Sequence, residues 1–381
     1  MKILINAVNL KVGGGVTVIF NFLSTIIQNR EFHRHTYHVI APSGVGYEKY
    51  NAYPIHIEIM PEAMKSALNR ICLDYTWLKN RVNKIDPGIV FTMGNMAIPT
   101  NNKKQGVLFM YPYAIYPKDY TVWKILNLPT RINYRLRNLL FKQRLKYADI
   151  VFPQTHTSEQ RLHKYYGSYI KKTKVIPTAF SEIGQFNEVK SFYTKNKKYK
   201  YLLTLTKYYR HKNLEILIKV GLLIKEKKCN FKLITTIGRD QGSEANAFLE
   251  SVVREELEDV ILNLGAIPYE EVPALYKQVD GLLLPTLLES YSATYADSLA
   301  LGVPIFTSDR DFAKDVCGDC ANYFDPLDEF NILEVITDGF NNSYRLKDKI
   351  IKGKDRANSF PSWLQVTQSF IRELELLNES Y

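Results

Sequence analysis

Short apolar runs bounded by turn residues recur along this chain in two sets of five. The first set is "KILINAV" (2–8), "YHVIAP" (37–42), "GIVFTMG" (88–94), "GVLFMYP" (106–112) and "DIVFPQT" (149–155). The second is "YLLTLT" (201–206), "FKLITTIG" (231–238), "VILNLGAI" (260–267), "GLLLPT" (281–286) and "VPIFTS" (303–308). Runs this short, separated by helical stretches, suit strands of a parallel sheet covered on both faces. In the second set the intervening helices are expected at 212–226, 243–256, 270–278 and 291–301. Two such series predict an α/β chain of two Rossmann-like, doubly wound domains. The expected division is 1–190, then 191–361 opening on the lysine-rich linker "SFYTKNKKYK" (191–200), then a tail at 362–381. The tail's "WLQVTQSFIRELELL" (363–377) reads as an amphipathic helix returning to the N-terminal domain. Ligands of such sheets sit beyond the carboxyl ends of the strands, so two facing domains make a cleft.

Composition excludes several classes. The 381 residues are 46% hydrophobic and 23% charged, a globular balance. No window reaches eighteen unbroken apolar residues, and the start "MKILINAVNLKVGGG" lacks the form of a signal peptide. Four cysteines are too few for a disulfide framework, which predicts a cytoplasmic protein. Cys317 and Cys320 form a C-x-x-C without a second pair or a nearby histidine, so the bland reading is a turn containing two thiols. Charge is unevenly spread: residues 1–200 carry a net +19 and residues 201–381 a net −8. The first half is therefore expected to meet an anionic partner. It carries no recognisable nucleic-acid module, so nucleic acid is not expected.

The chemistry concentrates in "PTLLESYSATYADSLALGVPIFTSD" (285–309). Glu289 follows a strand and precedes a small-residue helix that holds Asp297. A helix start offers free N–H groups and a positive dipole end, which suit a phosphate. A carboxylate just before it can accept hydrogen bonds from sugar hydroxyls, or can simply cap the helix. Ser290 and Asp297 are seven residues apart and can share a face.

This segment resembles the E-x7-E region of the family-four retaining glycosyltransferases, which have the GT-B fold. The first acid, the alanine-rich helix, Gly302 and Pro304 are kept. The second acid is the shorter Asp297, and serines 290 and 292 stand where glycines are usual. "LTKYYRHKNLEILI" (205–218) resembles the family's diphosphate-binding segment, with Lys207 and Lys212 as its two cations and Arg210 able to substitute. Gly238 ends a strand like the family's, and "LGAIPYEEV" (264–272) resembles its base-binding loop. "VIPTAF" (175–180) resembles the Val-Ile-Pro-Asn-Gly turn, and Gly13, Gly14 and Gly15 the N-terminal glycine loop beside acceptor and phosphates.

The resemblance implies a sugar moved, with retention, from a UDP- or GDP-linked donor to a lipid-linked or oligosaccharide acceptor. The setting implied is bacterial surface polysaccharide (capsule, O-antigen or exopolysaccharide), with no metal and no other cofactor. Glu289 would hold donor hydroxyls and Asp297 the ribose. Lys207, Lys212 and the helix start at Ser290, Tyr291 and Ser292 would hold the diphosphate, and backbone at Ala266 and Ile267 the base. On the acceptor side, Tyr111 and Tyr113 stand where the family often has histidine. His156 follows a strand and could reach the same place, or be an incidental polar residue at a helix start. "LNLPTRINYRLRNLLFKQRLKYAD" (126–149) reads as a basic amphipathic helix. It predicts peripheral association with the inner, anionic face of the cytoplasmic membrane, unless it is an ordinary packed helix with a solvated basic face. Two alternatives stay open: a nucleotide-sugar epimerase or hydrolase of the same fold, and a catalytically weak nucleotide-sugar-binding subunit.

Overall fold

A computed structural model describes residues 1–61, 72, 74–117, 120–179 and 191–379. The chain clusters into two compact units. One gathers the described residues of 1–117, 128–179 and 361–379, the other those of 120–127 and 191–360.

The first unit is a six-stranded parallel sheet in the order β3-β2-β1-β4-β5-β6. Its strands are β1 (Lys2–Asn6), β2 (Thr36–Ala41), β3 (Ile55–Ile59), β4 (Ile89–Thr92), β5 (Lys104–Phe109) and β6 (Ile150–Pro153). Adjacent residues of β1 enter different cores. Ile3 and Ile5 pack with the Gly14–Gln28 and Trp363–Glu379 helices, whereas Leu4 packs with Leu78, Val82 and Val90. That two-sided burial is why the run lacks polar alternation. The C-terminal helix buries Val366, Phe370, Ile371 and Leu374 in this unit. Phe370 lies 5.1 Å from Phe91 and 5.3 Å from Phe152 between ring centres, and Glu375 accepts from His35 at 2.7 Å. A side chain at Gly106 would meet Phe152 at 2.8 Å and Leu374 at 2.9 Å, so the helix rests directly on the strand there.

The second unit repeats the plan in the order β12-β11-β10-β7-β8-β9. Its strands are β7 (Lys200–Thr204), β8 (Phe231–Thr235), β9 (Ile261–Asn263), β10 (Gly281–Leu284), β11 (Ile305–Ser308) and β12 (Ala321–Phe324). Helices Ile216–Glu226, Ser243–Arg254 and Ala293–Leu301 follow β7, β8 and β10. Leu202, Leu233, Leu283 and Phe306 form its core with Leu217, Val220, Phe248 and Ile332.

Each sheet has a sixth strand beyond the five expected, and in both cases it is an edge. Isoleucine alternates with His56 and Glu58 in β3, and β12 reads Ala-Asn-Tyr-Phe; neither gives a continuous apolar run. The helix expected from 212 starts at Ile216 because Asn213 adopts a left-handed backbone (φ 57°). The basic helix spans Leu128–Leu145. Cys317 and Cys320 are buried free thiols, and burial pushes both pKa values up, which keeps them protonated. Among the described residues no cluster of three or more His, Cys, Asp or Glu is placed to hold a metal ion.

Candidate active site

In the second sheet, strand order reverses between β10 and β7: the chain moves from β7 outward through β8 and β9, then crosses to β10. The loops leaving those two strands diverge, and the crevice between them is where such sheets bind ligands. Lys212 leaves β7 and Glu289 leaves β10.

The two loops are fastened together. The His211 carbonyl accepts from the Leu287 N–H at 2.7 Å and from the Thr286 hydroxyl at 3.2 Å. A 3-10 turn, Arg210–Lys212, is closed by the Lys212 N–H donating to the Tyr209 carbonyl at 2.8 Å. Asn213 then turns the chain into the helix and donates from Nδ2 to the Pro326 carbonyl at 2.7 Å. These bonds bring the Lys212 ammonium into contact with Glu289 Oε1. The same oxygen accepts from the Thr286 hydroxyl at 3.2 Å. The side chains are 17% and 9% exposed, so the pair is largely shielded from water. Lys212 was expected in the first turn of a helix and sits instead in this preceding turn.

The other donor-side candidates divide. Lys207 is exposed and makes no ion pair with a described residue. Arg210 is taken up elsewhere: its Nε donates to Glu244 at 2.9 Å and its Nη1 to Glu215 at 3.2 Å, so it does not stand in for Lys207 or Lys212. Ser290 and Ser292 are buried ahead of the Ala293–Leu301 helix, and Tyr291 is half-buried. Ser292 holds the N-cap position without a side-chain cap bond and shares a 2.6 Å hydrogen bond with Thr294. Asp297 is buried in the second turn of the Ala293–Leu301 helix, which also carries Tyr295. Burial, with the Asp297 charge as a lesser cause, holds the hydroxyls of Tyr276 and Tyr291 above their ordinary pKa.

At the ends of β8 and β9, Gly238 and Ala266 are neighbours: a Cβ on Gly238 would lie 3.5 Å from that of Ala266. Ala266 is exposed and Ile267 half-buried, after Gly265 at φ 74°. Asn263 positions this corner, accepting from the Ile237 N–H and donating to its carbonyl, each at 2.9 Å. Asn263 and His211 escaped sequence reasoning. Nothing in the sequence marks Asn263 as a brace, and the role of His211 rests on its backbone carbonyl. Desolvation, then the Lys212 charge, holds the His211 pKa well below its usual value, so the ring is neutral.

In the first unit, Gly13 (φ 75°) caps the Gly14–Gln28 helix after β1, beside that sheet's own order reversal between β1 and β4. A Cβ on Gly14 would meet nothing, whereas one on Gly15 would press on Leu10 at 2.9 Å. Gly14 thus leaves open space at the turn, and Gly15 serves packing. Tyr111 is buried with a hydroxyl that has no hydrogen-bond partner among the described residues, and burial raises its pKa. Tyr113 is stacked on Tyr134 with ring centres 3.8 Å apart. His156 opens the His156–Tyr166 helix with its side chain 75% exposed, 3.7 Å from Glu159. Of the "VIPTAF" turn, residue 180 lies outside the described residues, as does all of 180–190.

Comparison with known proteins bears on the same region. Residues 185–352 match the family model described as glycosyl transferases group 1. Over 156 residues the chain is 27% identical to O-antigen chain mannosyltransferase B of Escherichia coli, covering 41% of this chain and 40% of that protein. Among solved structures, WaaG, a glycosyltransferase involved in lipopolysaccharide biosynthesis, is similar over 98% of this chain and 99% of its own, with a TM-score of 0.72 at 13% identity. Anabaena HepE in complex with UDP and glucose is similar over 99% and 100%, with a TM-score of 0.69 at 13% identity. The chain has the GT-B fold, and residues 185–352 are similar to the glycosyl transferases of group 1.

Proposed function

We propose that this protein is a retaining glycosyltransferase that moves a sugar from a nucleoside-diphosphate donor to a glycan or lipid-linked glycan during assembly of a bacterial surface polysaccharide. The observation that carries the reading is the Lys212–Glu289 contact at the order reversal of the second sheet. It sets a cation for the leaving diphosphate beside an acid for donor hydroxyls. The fold neighbour from Anabaena holds UDP and glucose, and the relative from Escherichia coli is a mannosyltransferase of O-antigen chains.

In the reaction the bond between the anomeric carbon and the phosphate oxygen breaks, and negative charge grows on the diphosphate. Lys212, together with exposed Lys207 and the start of the Ala293–Leu301 helix, stabilises that charge. Glu289 fixes the sugar through its hydroxyls. Lys212 and Glu289 neutralise each other, and a bound donor exchanges their contact for one of its own with each. Gly238, Ala266 and Ile267 form the wall against which the base lies. The departing phosphate takes the acceptor's proton, so no protein base is required. The cationic side chains do the work of a metal, and none is invoked.

The test is incubation with a panel of nucleotide sugars and an acceptor extract, with product analysis. Sugar joined to acceptor supports the reading. Donor turned over to free sugar or to an epimer, whether or not acceptor is present, overturns it.

A further inference from the structure

The carboxyl edge of the second sheet continues past the residues given to the donor. Its strands run in the order β9, β8, β7, β10, β11, β12. Gly238 and Ala266 follow β8 and β9, Lys212 follows β7, and Glu289 follows β10. A nucleotide sugar lying along that edge, with its base over β8 and β9, directs its sugar towards β11, one strand spacing of about 4.8 Å beyond β10. A cavity of about 550 Å³ opens there. It is lined by Asp309 and Arg310 after β11, Tyr323 and Asp325 at the end of β12, Asn331, and Thr121 from the Tyr120–Ile125 helix, which belongs to the same unit. The wall is continuous with the donor residues: Pro326, also part of it, accepts at its carbonyl from Asn213, the residue after Lys212.

Arg310 is unmatched in this wall. Its Nε is buried without a hydrogen-bond partner, and its guanidinium makes no ion pair or hydrogen bond with a described residue. Other arginines of the unit are engaged: Arg210 by Glu215 and Glu244, Arg254 by Glu255, and Arg356 by the carbonyls of Asp315 and Val316. Arg310 is half-buried, so water only partly takes the place of a partner. A planar guanidinium held in this way matches a carboxylate or a phosphate. The neighbouring acids choose between them. Asp309 is paired with Lys314 at 2.5 Å. Asp325 accepts from the Leu327 N–H at 3.0 Å and makes no ion pair with a described residue. That second carboxylate opposes a phosphate dianion but can accept from hydroxyls. A single carboxylate flanked by hydroxyls suits both groups, and that is the chemistry of an acidic sugar.

We propose that Arg310 and this cavity form a subsite for an acidic sugar, with the guanidinium on its carboxylate and Asp325 accepting from its hydroxyls. The inference rests on the donor placement given above. The acidic sugar belongs to the donor or to the acceptor, and separate binding experiments distinguish these two sources.

Calorimetric titration of the full chain with UDP-glucuronic acid against UDP-glucose, and with GDP-mannuronic acid against GDP-mannose, tests the donor as source. Titration in the presence of UDP or GDP with oligosaccharides ending in glucuronate or galacturonate, against their neutral counterparts, tests the acceptor. Wild type should prefer the acidic member of one pairing by about tenfold, the effect of one charge-assisted contact at a half-buried position. Arg310→Gln should abolish the preference by weakening the acidic member alone. Arg310→Lys keeps the charge but not the planar fork, and should retain only part of it. Both variants should bind UDP and GDP like wild type and melt at the wild-type temperature, since Arg310 has no hydrogen bond to lose. No preference in any pairing, or one that survives Arg310→Gln, would overturn the proposal. So would inorganic phosphate raising the melting temperature of wild type, but not of Arg310→Gln, by more than glucuronate does at equal concentration; that would assign the cavity to a phosphate. A wild type that binds neither UDP nor GDP sinks the donor reading instead, and a preference for acidic oligosaccharides removed by Arg310→Gln would then still support the subsite.

Discussion

Replacing Glu289 with glutamine separates the two roles assigned to the Lys212–Glu289 pair. The substitution keeps the shape and removes the charge. Lys212, 17% exposed, then loses its counter-ion in a shielded site. Removing one member of a fully buried pair costs about 3–5 kcal/mol, and the remaining exposure of Lys212 reduces that to about 1–3 kcal/mol. Glu289→Gln should therefore unfold at lower denaturant, with an unchanged slope. The freed ammonium should hold a nucleoside diphosphate without sugar at least as tightly as in wild type, because no carboxylate competes for it. Turnover should fall by more than about a hundredfold, or about 2.7 kcal/mol, since the donor hydroxyls lose their charged acceptor. Lys212→Ala should show the opposite binding pattern, with nucleoside-diphosphate affinity down about tenfold or more. Calorimetric titration of UDP and GDP into both variants, alongside transfer rates, reads all of these. Equal weakening of diphosphate binding in the two variants, or near-normal turnover in Glu289→Gln, would refute the division of labour.

Other expectations concern charge, pH and packing. Arg210→Ala should cost under about 1 kcal/mol of stability and affect turnover far less than Lys212→Ala, because Arg210 is half-exposed and engaged by Glu215 and Glu244; comparable losses of turnover would contradict this. Chelation with EDTA should leave transfer rates unchanged, and restoration of a lost rate by added magnesium or manganese would overturn the metal-free reading. The His211 pKa is lowered on folding, so below about pH 6.5 the unfolded chain binds more protons than the folded one. Stability should therefore fall on acidification through that range, and His211→Gln should flatten the loss in a melting series; an unchanged slope would show the ring is not the cause. Gly106→Ala should destabilise by about 1–3 kcal/mol, because the new methyl meets Phe152 and Leu374 inside 3 Å; a wild-type denaturation midpoint would mean the C-terminal helix can move away.

The buried strands were readable from sequence because both faces of β1, β4, β7 and β10 are covered, which forces unbroken apolar runs such as Leu282-Leu283-Leu284. The edge strands were not. One flank of an edge is free, and β3 carries His56 and Glu58 where a central strand would carry isoleucine or valine. The site was legible as residue types but not as partners. Glu289 and Lys212 stand 77 positions apart, and they meet only because β10 crosses to lie beside β7, a matter of strand order that periodicity does not encode. Arg210 looked equivalent to its neighbours until Glu215 and Glu244 were seen to hold it. Likewise, the basic helix was visible as a composition, but which leucines stay in water depended on its own Phe141, buried on the other side against the rings of Tyr111 and Tyr166.

The most direct test is to supply purified protein with each of a set of nucleotide sugars and a lipid-linked acceptor fraction, then determine the anomeric configuration of the linkage formed. The account predicts transfer from one donor with the donor's configuration kept, and loss of that product in Glu289→Ala. An inverted linkage, or full transfer by Glu289→Ala, would contradict it.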